Sequence, residues 1–290
     1  MRPISSHSPH AVPISRRPVP RRAAAAGLSA AALFVVAACG SATSGSANSN
    51  GSAANPLNPR QALVAAATST QQVTSAIETL NVKASGVQSE LTSGTIQVQL
   101  KPTLELGATL NVNAGGKSTP IKEVLTPSAI YFSTAALSSL TPKPWIKIPL
   151  SALKGTAAAN FGQLFHNLQS NNFTNQTELL TVAKNAHVVG HATIDGAATT
   201  EYAGSFTASA GLKALPPSFR KVMSSELKAM GTSTISFHVW IDGQKHVRKM
   251  EETETINGEN VDTTVNITAI NQPVNITVPS ASQVGSIPGM

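Results

Sequence analysis

Cys39 is the single cysteine in 290 residues, and Val36-Ala37-Ala38-Cys39 places a branched aliphatic and two small side chains directly before it. That pattern is a lipobox: the signal peptidase needs small residues at its cut, and the thiol of the new first residue accepts a diacylglyceryl group. With one thiol, no disulfide within the chain is possible. His187 and His191 stand four apart, a spacing that on a helix suits a metal. The intervening Val188-Val189-Gly190 favours a strand, however, and no acidic or thiol ligand is close by. Zinc needs three or four donors, so these read as sheet histidines and no metal is expected.

Other chemistry is poorly supplied. No Gly-x-Ser-x-Gly elbow is present for a hydrolytic nucleophile. Of the aspartates Asp195, Asp242 and Asp262, the first two precede glycine and read as turn residues. Glu251, Glu252 and Glu254 lie in a strand-like run that is polar over much of its length, and they read as a solvated face. Four Asn-x-Thr triplets, at Asn172, Asn175, Asn266 and Asn275, fit a Thr-rich β composition. No catalytic residue and no cofactor are expected.

The elements that would present Cys39 are clear. The first 38 residues hold Arg2, Arg16, Arg17, Arg21 and Arg22, no acid, and then an apolar run from Ala23 to Ala38. This is a basic n-region followed by an h-region, shorter than the roughly 20 residues of a permanent span. Taking those five arginines from the 21 basic residues leaves 16 against 14 acids, so the high pI belongs to the leader. The remaining lysines are scattered and form no nucleic-acid face. Residues 39–58 are a Ser/Gly/Ala/Asn tether that behaves as a flexible coil, holding the rest of the chain on the order of 20 Å from the membrane. Residues 59–290 then read as one domain.

That domain opens with a helix: Asn58 caps it, Pro59 suits the first position, and Leu63, Ala66, Val73, Ile77 and Leu80 recur at helical steps. Beyond it the period changes to two. Ile96, Val98 and Leu100, then Leu104, Leu106, Ala108, Leu110 and Val112, alternate with polar or small residues. Further strands are expected at 130–133, 145–148, 188–194, 200–207, 234–241, 246–256 and 261–270. Hairpin turns are expected at Asn113-Ala114-Gly115-Gly116, Asp195-Gly196, Asp242-Gly243 and Asn257-Gly258. Helical stripes are expected at 151–170, near 178–184 and at 218–230. The fold class is α+β: a strongly curved antiparallel sheet with helices on one side.

A curved sheet with one aliphatic face can enclose a lipid-sized cavity, in which each buried methylene contributes about 0.8 kcal/mol. A face simply covered by helices fits the same alternation equally well. The runs Tyr131-Phe132, Pro144-Trp145-Ile146-Lys147-Ile148, His187 to Gly196, Thr200-Glu201-Tyr202, Val239-Trp240-Ile241-Asp242-Gly243 and Val247-Arg248-Lys249 occur in the order and spacing of a known family. From Pro59 to Pro279 the chain resembles the actinobacterial cell-envelope lipoproteins of the LppX/LprAFG type. The resemblance implies a half-open, LolA-like barrel on helices, whose apolar cavity accepts acyl chains of a lipid or glycolipid, and no enzymatic activity.

The expected lipid-facing residues are Ile96, Val98, Leu100, Leu104, Leu106, Ile130, Phe132 and Val239, with Trp145 near the rim. Trp at Val98 or Leu106 is expected to block loading without unfolding the domain. The expected partners are that lipid, the cytoplasmic membrane through the Cys39 anchor, and an envelope transporter; nucleic acid is not among them. The expected place is the outer side of the cell membrane. The competing reading is an envelope scaffold with a filled core that binds a protein.

Overall fold

The computed structural model describes residues 58–85, 90–139, 141–152, 181–214, 220, 224, 234–256 and 258–285. The expected leader, Cys39 and all but the last residue of the expected tether lie outside them. So do most of the expected helices at 151–170 and 218–230; of the latter, Arg220 and Ser224 are described, and both are helical.

Helix α1 spans Pro59–Thr70. Its start follows from the sequence: the Gln61 amide donates to Asn58 Oδ1 at 2.9 Å, and the Asn58 amide donates to Gln61 Oε1 at 3.1 Å. This reciprocal box satisfies two otherwise orphaned donors, and Pro59 has none to lose. Ala62, Leu63, Ala66 and Ala67 form its buried stripe. The helix stops at Thr70, short of the helical spacing that runs on to Leu80. Ile77 and Leu80 belong instead to strand β1, Ser75–Ser85.

The remaining strands are β2 (Glu90–Gln99), β3 (Glu105–Ala114), β4 (Lys117–Leu125), β5 (Ala129–Thr134), β6 (Trp145–Pro149), β7 (His187–Ile194), β8 (Ala197–Thr207), β9 (Thr234–Asp242), β10 (Val247–Ile256), β11 (Glu259–Ile270) and β12 (Val284–Gly285). A short helix α2, Ala208–Ala214, follows β8. All twelve strands form one sheet in the order β12-β6-β5-β4-β3-β2-β1-β11-β10-β9-β8-β7, so its ends do not meet and it is half-open. Neighbours pair antiparallel except β12, which runs parallel to β6 and makes the sheet mixed. The chain thus builds two meanders, β1–β6 and β7–β11, joined where β1 pairs with β11.

The turns follow from residues that tolerate positive φ. Gly115 and Gly116 close β3–β4 at φ 56° and 77°, and Asp195-Gly196 closes β7–β8 at 47° and 79°. One face of the sheet, together with α1, surrounds a single apolar cluster drawn from β1 to β5 and from β8 to β11. This is the inner face. Phe237, Leu63, Leu104, Ile267, Val98 and Val239 are among its fully buried side chains, each contributing roughly 1.5–3 kcal/mol of transfer free energy.

On the outer face a second, smaller core holds Val124, Ala129 and Tyr131, with Trp145, Ile276 and Val284 packed against it. The segment 271–285 therefore straps across the outer face from the end of β11 to the edge of β6. The Asn275 amide donates to Gln97 Oε1 at 2.9 Å, and Lys143 Nζ donates to the Ser282 carbonyl at 2.8 Å.

Candidate functional site

Because side chains alternate along a strand, the pairing registers assign every residue to a face. Across β4, β3, β2, β1 and β11 one inner row reads Ile121, Leu110, Gly94, Leu80 and Val265. It continues through Met250 and Val239 to Tyr202 of β8. Ile96, Val98, Leu106, Ile130, Phe132 and Val239 all stand on this inner face, and Leu100 and Leu104, in the β2–β3 connection, join the same cluster. The structure thus brings eight of the nine expected lipid-facing residues together.

Trp145 is the exception. It pairs in register on β6 beside inward Ile146 and packs on Tyr131 and Val124 in the outer core, remote from the inner face. Trp240 is also on the outer face, under Lys249 Nζ at 4.4 Å from its ring centroid and stacked on His238 at 6.1 Å. Neither tryptophan borders the inner face, because strand parity, not aromatic character, decides the side.

Burial divides the inner face into two halves. Near α1, Ile96, Val98, Leu100, Leu104 and Val239 are sealed, none more than 5% exposed. At Val98 a Trp would overfill a closed core, so the expectation that such a variant stays folded fails there for lack of space. Further along the strands Val82, Ala84, Thr92, Val112, Thr119 and Val261 are only half-buried. Leu106, Ile130 and Phe132 at the β3–β5 side are half-buried as well.

Carboxyls occupy this face too. Glu252 and Glu254 are inward residues of β10, opposite Phe237 and Ile235 of β9, so the reading of them as a solvated face is corrected. Only Glu251 points outward, where it takes Lys249 Nζ at 2.6 Å. Burial, then the charge of Glu254, pushes Glu252 up to about 8. Glu123, inward on β4 between Ala108 and Phe132, is raised by burial. Glu78, inward on β1, is fully buried, has no partner on either carboxylate oxygen among the described residues, and is raised well above the usual carboxylate range by loss of solvation. A carboxyl raised in this way holds its proton to higher pH and can then donate a hydrogen bond, so Glu78 and Glu252 set polar points among the aliphatic walls.

His187 and His191 do not converge. A bulge between Val188 and Gly190 changes the strand's parity, so His187 lies beside outward Ala203 and His191 beside inward Thr200. Among the described residues no group of three potential ligands comes together.

No protein-family model matches the sequence, and no curated protein does. Solved structures do resemble the fold. LprF from Mycobacterium bovis is similar over 78% of this chain and 100% of its own, at 15% identity and a TM-score of 0.48. The Mycobacterium tuberculosis lipoprotein LppX is similar over 75% of this chain and 95% of its own, at 17% identity and a TM-score of 0.43. A protein from Desulfovibrio piger is similar over 76% of this chain and 96% of its own, at 9% identity and a TM-score of 0.30. At such identities the chemistry has to be argued from this chain's own residues.

Proposed function

We propose that the chain is an exported lipoprotein, anchored through Cys39 to the outer side of the cell membrane, that holds the acyl chains of a lipid or glycolipid against the inner face of its half-open sheet. The carrying observation is the division of that face: one half fully buried in the cluster that α1 joins, the other lined by half-buried Val82, Ala84, Val112 and Val261. About ten methylenes removed from water would supply roughly 8 kcal/mol, enough for micromolar binding without any charged contact. No catalytic step and no cofactor enter the proposal. The role that fits a tethered binder is to carry or present lipid within the envelope, with a membrane transporter as its partner.

A second reading has its own observation. Val188 and Val189 are each nearly half exposed on β7, a terminal strand of the sheet, where an edge can recruit another protein. In that reading the protein is an envelope scaffold and the sealed half of the inner face is simply a core.

Mass spectrometry of an organic extract of the purified protein separates the two. A stoichiometric lipid that is lost in a folded Val112→Trp or Leu106→Trp variant supports the carrier. A clean extract, with no uptake of a fluorescent lipid, supports the scaffold.

A further inference from the structure

At the end of the sheet formed by the β7–β8 and β9–β10 turns lies a cleft of about 670 Å³, within the usual range for a small-molecule site. It is set apart from the half-buried part of the inner face by the sealed row of Leu80, Val265, Met250 and Val239. Its floor is apolar, made by Ala62 of α1, Tyr202 and Ile241, all members of the main cluster. Its rim is polar, with His191, Thr193, Thr200, Asp242 and Lys245.

The charges on that rim are unequal in availability. Asp242 is already spent: Oδ1 accepts the Gln244 and His246 amides at 2.9 and 2.8 Å, and Oδ2 accepts Arg248 Nε at 2.7 Å. The His246 ring adds Nδ1 at 3.3 Å from Oδ2. These contacts hold the turn that presents Lys245. Lys245 sits at φ 70°, a left-handed conformation that a lysine adopts at a cost, and its amide donates to the Asp242 carbonyl at 3.0 Å. Lys245 is half-buried as a residue, and its ammonium has no hydrogen bond or ion pair among the described residues. Ala62 belongs to the first turn of α1, whose own cap uses the Asn58, Gln61 and Ala62 amides, so the helix lends the cleft an apolar wall and Lys245 supplies its cation. His191 Nδ1 lies 3.2 Å from Thr200 Oγ1, which leaves its Nε2 without a hydrogen-bond partner among the described residues.

We propose that this cleft binds a phosphate-bearing amphiphile: Lys245 takes the phosphate, His191 and Thr200 add hydrogen bonds, and the Ala62–Tyr202–Ile241 floor takes the adjoining apolar part. The source is a phospholipid headgroup at the membrane surface, since α1 begins where the tether ends and the cleft is built on its first turn. The amphiphile half of the proposal rests on the lipid-binding reading; the anion half stands on the cleft alone.

Titration calorimetry on the full chain carrying Cys39→Ser tests it with three probes: dihexanoyl phosphatidic acid, dihexanoylglycerol and inorganic phosphate. Lys245→Asn removes the ammonium while keeping a residue that accepts positive φ. The expected result is that the phosphatidic acid binds about tenfold or more tighter than the diacylglycerol, and that Lys245→Asn abolishes the difference. Equal binding of the two amphiphiles, or a preference that Lys245→Asn leaves intact, overturns the cleft assignment while leaving lipid binding in place. Phosphate binding that depends on Lys245, with neither amphiphile bound, upholds the anion site and removes its lipid half. No binding of any probe overturns both. His191→Gln, expected to weaken the phosphatidic acid by a smaller factor, guards against a Lys245 variant that fails to fold.

Discussion

Glu78 stands directly opposite Ile96 on one side and Ile267 on the other, and neither of its carboxylate oxygens has a hydrogen-bond partner among the described residues. No titratable residue faces it from the β2 or β11 register or from the buried stripe of α1. An unsatisfied buried polar group costs about 1–3 kcal/mol, so Glu78→Leu is expected to raise the free energy of unfolding by that amount. The folded pKa lies above the unfolded one, so the stability present below about pH 4.5 is lost as the pH rises toward the folded value. The resistance of the wild type to urea should therefore fall with rising pH, and that slope should be shallower in Glu78→Leu. A less stable variant would reveal a role for the carboxyl that burial alone does not supply.

Glu252 gives a second, resolvable window. Its folded value of about 8 lies above the ordinary glutamate value of 4.5 through burial and through Glu254. Its contribution is therefore complete below about 4.5 and falls away between there and about 8. Glu252→Gln should flatten the stability profile across that interval. Glu254→Gln should move the upper end of the interval down, because it removes the like charge and leaves the burial. An unchanged profile in Glu252→Gln would mean that the side chain is ionised and solvated in the folded state.

The same carboxyls mark the boundary of what the sequence reveals. Strands β2, β3 and β5 to β11 are legible because aliphatic alternation marks their runs, and Gly115-Gly116 and Asp195-Gly196 mark the ends of β3 and β7. β1 is not, since Glu78 interrupts the inward series Ala76, Leu80, Val82 and leaves Ala76, Ile77 and Leu80 at spacings that mimic a helix. Glu252 and Glu254 read as solvent-facing for the same reason: pattern alone treats a charged residue as outside. The side taken by Trp145 is illegible because nothing local announces the strap 271–285, whose Ile276 and Val284 supply the outer core that the tryptophan joins. The cleft rim depends on Lys245 being held in a left-handed turn, a signal absent from composition or periodicity.

Asp242 should govern the acid limit of the β9–β10 turn. Burial acts to raise its pKa, but hydrogen bonds from the His246 side chain and amide and from Arg248 outweigh it and hold the carboxyl far below the usual range. This stability is present above about pH 3.8 and is lost only as the pH falls toward the depressed value. Arg248→Met removes one charge-assisted bond, costs about 1.5–3 kcal/mol at neutral pH, and should shift the acid-unfolding midpoint upward. Circular dichroism across an acid titration from neutral pH measures both effects. Identical acid midpoints would mean that the His246 contacts alone carry the depression.

The strap ties β11 to β6 across the outer face, and its removal should be felt at Trp145. Ile276 lies over Gly107, two carbons of its side chain 3.5 and 3.6 Å from where a β-carbon at that glycine would be, and shares the outer core with Tyr131 and Trp145. Ile276→Ala should cost about 1–2 kcal/mol, less than a fully buried isoleucine because the side chain is only half-buried. In a Trp240→Phe background, where Trp145 is the sole tryptophan emitter, the same change should shift fluorescence to the red as water reaches the indole. Gly107→Ala should be far milder, since the added methyl meets Ile276 only at ordinary contact distance. A Trp145 spectrum indifferent to Ile276→Ala would show that the tryptophan is covered from β4 and β5 alone, and that the strap closes the sheet edge without sealing the face.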